Sequence, residues 1–140
     1  MRSLFVALLT VICLLGCNRE ERLVLPEAIL EGTITYKGKP VPHAMVVATG
    51  EGPAAQGFAN ADGKFQLKNC PTGTLKLGVN TDAGKGNMMG AMMSSQVSGD
   101  KSNKPVFVDV PKKYFDPNTS GIVAQVSDPK GVTQFDIKID

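Results

Sequence analysis

One histidine, no arginine beyond Arg22 and three cysteines in 140 residues leave little material for catalysis, phosphate binding or a disulfide framework. Nor is there a basic cluster longer than the pair Lys112-Lys113, and 15 Lys and Arg stand against 13 Asp and Glu. A phosphate-binding face needs concentrated positive charge, so nucleic acid is not an expected partner. No apolar run reaches the ~20 residues of a spanning helix, the longest being the twelve from Leu4 to Leu15. With 15 Gly and 9 Pro the chain is punctuated too often for long helices, and its length suits one domain.

A hydrolase must set a nucleophile or an activated water against a base. The single imidazole, His43, stands between Pro42 and Ala44 at the head of an expected strand, as a surface or strand-end residue would. Asp109, Asp116 and Asp128 occur singly near turns, where a carboxylate accepts backbone N–H groups. Asp116, with Pro117, Thr119 and Ser120, is expected to pin its turn. The stretches G-E-G-P and G-K-G lack the following helix and the Lys-Ser/Thr ending of a phosphate loop. No catalysis and no cofactor are expected.

What is present begins at the N-terminus. Arg2, the run Leu4 to Leu15 and small Gly16 have the layout of a secretory signal peptide over residues 1–16. The ending L-L-G-C resembles the bacterial lipobox, whose cysteine receives a diacylglycerol and becomes the first residue after cleavage. Cys17 is then the lipidation site and the membrane its first partner. Asn18, in place of the Asp that marks inner-membrane retention in some bacteria, points to the outer membrane of the cell envelope. Cys13 leaves with the signal and Cys17 carries lipid, so Cys70 has no thiol to pair with and reads as a small buried hydrophobe.

Residues 17–29 read as a tether. From Leu30 the period is two: Leu30, Ile34 and Tyr36 alternate with Glu31, Thr33 and Thr35, the pattern of a half-buried antiparallel strand. A second strand follows in H-A-M-V-V-A-T. The segment N-A-D-G is expected to close a hairpin that brings Phe58 and Phe65 together, with Gly63 at positive φ and Asp62 bonding its own backbone. Calcium is not expected there, because Asn69 stands where the Glu of a metal loop belongs. Leu75, Leu77 and Val79 point inward on another strand. The triplets Val106/Val108/Val110, Ile122/Ala124/Val126 and Phe135/Ile137/Ile139 each repeat the pattern. These seven or eight strands compose an all-β sandwich of two antiparallel sheets.

Residues 81–104 show no alternation and read as a flexible loop insertion, the expected contact surface for a partner. Met88, Met89, Met92 and Met93 fall in it. Three uses are open: a pliable contact, a touch on the membrane, or a thioether clamp for Cu(I), which soft sulfur ligands select.

Taken in order, T-I-T-Y-K-G-K-P-V-P-H-A-M-V-V, A-N-A-D-G-K-F-Q-L, P-K-K-Y-F-D-P-N-T-S-G-I and F-D-I-K-I resemble bacterial lipoproteins with a carboxypeptidase regulatory-like domain, also called transthyretin-like or prealbumin-like. The resemblance covers residues 30–140. It implies a seven-stranded Greek-key sandwich without catalytic activity and with a binding or structural role; the sequence does not name the ligand, and an envelope protein or a carbohydrate are the two partner classes open to it. His43 departs from the glycine common at that position. Transthyretin-related hydrolases share the fold but use several histidines, an arginine and a terminal Tyr-Arg-Gly-Ser, whereas this chain ends F-D-I-K-I-D.

Overall fold

In a computed structural model, which describes residues 26–95 and 106–140, the period-two pattern becomes strand β1, Ala28–Tyr36. Ala28, Leu30 and Ile34 are fully buried on its inner face. The first strand thus starts two residues before Leu30. The chain continues through β2 (Lys39–Pro40), β3 (Met45–Thr49), β4 (Ala55–Phe58), β5 (Lys64–Cys70) and β6 (Gly73–Asn80). After helix α1 (Thr81–Ser95) come a 3₁₀ turn at Lys112–Tyr114, the short helix α2 (Pro117–Ser120), and strands β7 (Ile122–Val126), β8 (Val132–Gln134) and β9 (Ile137–Ile139).

The strands form two sheets. One runs β4-β3-β6-β7 with every pairing antiparallel. The other is built around β1: β5 lies antiparallel on one side and β8 and β9 run parallel to it, while β2 joins antiparallel at its C-terminal end. Buried side chains from both sheets meet in one cluster, with Val46, Leu75, Leu77 and Val126 from the first and Leu30, Ile34, Leu67 and Ile137 from the β1 sheet. Burying a Leu or Ile side chain contributes roughly 1.5–3 kcal/mol, so this shared interior is the main stabilising element.

The parallel pairing corrects the expected all-antiparallel sheets. Alternation marks which face of a strand is apolar and carries no information on strand direction. Gly32 is what lets the segment between β8 and β9 pack so closely against β1 here. A Cβ at that position would stand 2.0 Å from the carbonyl oxygen of Phe135.

Three further expectations change. The N-A-D-G segment does not close a hairpin: β4 and β5 belong to different sheets, so the turn carries the chain from one layer to the other. Its organiser is Asn60, whose Oδ1 accepts from Asp62 N–H and Lys64 N–H, both at 2.9 Å; Gly63 does take positive φ, +75°. Val106, Val108 and Val110 form no strand, although Val110 is buried; no strand among the described residues pairs with them. Residues 81–95 are helix, not loop. Asn80 Oδ1 accepts from Ala83 N–H at 2.9 Å and Asp82 sits in the first turn, both favourable at a helix N-terminus. Three glycines and a weakly amphipathic order of residues hide this helix from a periodicity reading.

The P-K-K-Y-F-D-P-N-T-S-G region forms the expected ordered turn. Asp116 caps α2, accepting from Asn118 N–H at 2.8 Å, Pro117 occupies the first turn, and Gly121 ends the helix at φ +72°. Ser120 Oγ bonds the carbonyl of Leu77, fixing α2 against β6.

Candidate functional site

Outward-facing positions of the β1 sheet line an open groove of about 590 Å³. Register creates its floor. Glu31 stands opposite Gln66 of β5 on one side and opposite Gln134 of β8 on the other, so the three side chains form a row across three strands. Both amides donate to this carboxylate: Gln66 Nε2 to Oε2 at 3.0 Å, and Gln134 Nε2 to Oε1. Such cross-strand bonds hold long side chains in place. Each glutamine keeps one N–H and its amide oxygen for a ligand.

Next to this row, Asp136 Oδ1 accepts from Thr33 N–H at 2.8 Å, where β8 gives way to β9. Lys64 adds a cation and Asn60 an amide. Phe58, from the last position of β4, lines the same groove and is 45 % exposed, whereas Phe65 is buried. The two rings expected to meet across a hairpin thus reach one groove from two sheets. An exposed ring beside a set of planar polar groups suits a ligand with an apolar face and many hydroxyls.

The methionines lie on α1. Its first turn docks on the sandwich: at Gly84 a Cβ would stand 2.0 Å from the carbonyl oxygen of His43, and Lys85 bonds Asp109 and lies 3.9 Å from Asp82. The Asp109 hydrogen bond is the main cause that raises the Lys85 ammonium above its ordinary value of 10.5. Beyond this turn a Cβ at Gly86 or Gly90 would meet none of the described residues outside the helix, and Met89 and Met93 are 61 % and 76 % exposed. The segment G-K-G, read as lacking a helix after it, lies inside one.

His43 precedes β3 with φ +58°; its ring meets Phe107 edge-on at 6.2 Å, and its N–H donates to Asn60 O at 3.3 Å. It is half-buried and does not line the groove. Cys70 is buried, with Sγ 3.6 Å from Leu67 O. Burial pushes its thiol above the ordinary value of 9.0, against a weaker opposing hydrogen bond at Leu30. Asp128 accepts from Lys130 N–H at 2.9 Å. Cys17 lies outside the described residues, among which no group of three His, Cys, Asp or Glu could hold a metal and no helix is long and apolar enough to cross a membrane.

The groove was not legible in the sequence. Glu31, Gln66 and Gln134 appeared only as the polar half of three alternations, and what joins them is strand register across separations of 35 and 103 residues.

A scan against family models finds no match, and no curated protein matches. Among solved structures, a 9R-lipoxygenase from Cyanothece PCC8801 is similar over 79 % of this chain at 12 % identity and a TM-score of 0.34. The chain spans 16 % of that protein's length.

Proposed function

We propose that this chain is a lipid-anchored protein of the cell envelope whose β-sandwich binds a partner without catalysis, the partner being a carbohydrate held in the groove. The row Gln66–Glu31–Gln134 beside exposed Phe58 carries this reading. A pyranose offers an apolar C–H face to an aromatic ring and hydroxyls that donate and accept at amide groups. A protein partner would need an apolar interface core of the kind that this polar floor lacks. The site is also built on strands, which hold side chains more firmly than the glycine-rich helix does. Support for a non-catalytic role comes from the carboxylates, which are already engaged: Glu31 holds two amides and Asp136 a backbone N–H. The L-L-G-C ending and Asn18 support lipidation at Cys17 and the outer membrane. The order of the four quoted motifs and the two-sheet core support a Greek-key, carboxypeptidase regulatory-like domain.

Calorimetric titration of the detergent-solubilised full chain with chitotetraose and with cellotetraose tests the groove. Saturable binding is expected for one of them, weakened about tenfold by Phe58→Ala, the equivalent of about 1.4 kcal/mol, and weakened again by Gln134→Ala. Binding that neither substitution changes, or no binding to either sugar, refutes the carbohydrate reading.

A further inference from the structure

We propose that α1 is a Cu(I)-binding element, with Met88, Met89, Met92 and Met93 as thioether ligands, and that the metal consolidates the helix. The structure turns a cluster in sequence into an array in space. At about 100° per residue the four side chains fall within an arc of about 140°, on one side of the helix. Met88 and Met92, and likewise Met89 and Met93, are four residues apart, a spacing that puts Cβ atoms about 5–6 Å from each other on successive turns. Methionine has three rotatable side-chain bonds, so sulfurs so spaced can converge on one ion.

Chemistry selects the ion. Thioethers are neutral and soft, which favours Cu(I) over ions that need carboxylate, imidazole or thiolate, and no cluster of those groups exists among the described residues. Binding forms Cu–S dative bonds with no electron transfer, and it displaces no proton, since a thioether carries none.

Two observations favour a metal over plain apolar cover. Four of the chain's six methionines stand within six positions of a helix that has no Leu, Ile, Val or Phe, the residues that serve cover alone. Two of the four, Met89 and Met93, are left largely in water. A helix made to lie on a membrane would add basic residues on its polar face, and this one has only Lys85, which Asp109 and Asp82 already hold. The glycines complete the argument. Gly84 is required by its contact with His43, but at Gly86 and Gly90 a Cβ would meet no described residue outside the helix, so nothing there offsets their low helix propensity. A helix so weakened gains most from a ligand that ties one turn to the next.

The test is anaerobic competition between the detergent-solubilised full chain and bicinchoninate for Cu(I), followed together with far-ultraviolet circular dichroism. One Cu(I) per chain is expected, with a gain of helical signal and an affinity that is flat over roughly pH 5–8, where a histidine or thiolate site would titrate. The variant M88L/M89L/M92L/M93L keeps helix propensity and should lose at least about tenfold in affinity. As a second measurement, G86A/G90A should bind more tightly and gain less helix on binding. Failure to take Cu(I) from the competitor, equal binding by the leucine variant, or an affinity that falls with protonation overturns the proposal. So does a helical gain produced equally by vesicles in both forms with no Cu(I) bound. The groove plays no part in this assay, so either site can fail alone.

Discussion

Replacing Gly32 by alanine should cost more than any surface substitution on this chain. The new Cβ would lie 2.0 Å from Phe135 O, and ordinary contact begins at 3.4 Å, so the segment between β8 and β9 must retreat by about 1.4 Å. The nearest neighbours, Phe135 O and C and Asp136 N, are backbone atoms, which cannot rotate away as a side chain would. Such a retreat breaks Phe135 N–H to Glu31 O and Thr33 N–H to Asp136 Oδ1, both 2.8 Å. A neutral backbone bond contributes about 1 kcal/mol and one to a carboxylate about 1.5–3 kcal/mol, so the loss is about 3 kcal/mol. In a domain whose total stability is of order 5–15 kcal/mol that is a large share, and it lowers Tm by about 10 °C. Urea denaturation followed by circular dichroism measures it. Gly86→Ala is the control: with open space around the Cβ it should raise helical signal and leave the core transition unchanged. A Gly32→Ala protein within about 0.5 kcal/mol of the parent would refute the close packing of the segment between β8 and β9 against β1.

Other consequences follow from single residues. Asn60→Ala removes both bonds that close the turn between the sheets and should lower stability by about 1–2 kcal/mol in the same urea assay, whereas Asp62→Ala should change it little. Asp116→Ala removes the α2 cap and should cost about 1 kcal/mol. Cys70 has a raised thiol in the folded chain, so its contribution is complete below pH 9.0 and is lost as pH climbs above that value. Above pH 9.0 the parent should therefore lose stability faster than Cys70→Ala, and a disulfide reagent should label Cys70 only as the chain unfolds.

Period-two patterning located the inward faces of β1, β6 and β7 and the apolar residues of β9, because a half-buried strand writes its two faces directly into the chain. Asp116 was legible for a similar reason, since the Asp-Pro-Asn order is a local capping signal. What escaped depends on distance or direction. The parallel run of β8 and β9 along β1 and the Gln66–Glu31–Gln134 row are settled by how remote segments meet. Asn60 was overlooked in favour of Asp62 because either side chain could close the turn locally, and the crossing between sheets decides for Asn60. Helix α1 was hidden because Gly84, Gly86 and Gly90 interrupt its pattern and its one apolar patch, Met88 to Met93, covers too few residues to establish a period.

Fractionation of cells producing the intact chain or Cys17→Ser addresses the central claim most directly. The account predicts that the intact protein sediments with outer-membrane vesicles, incorporates labelled fatty acid and is freed by detergent, while Cys17→Ser carries no label and leaves the membrane fraction. Equal membrane retention of the two proteins, or fatty-acid label that survives the substitution, would contradict it.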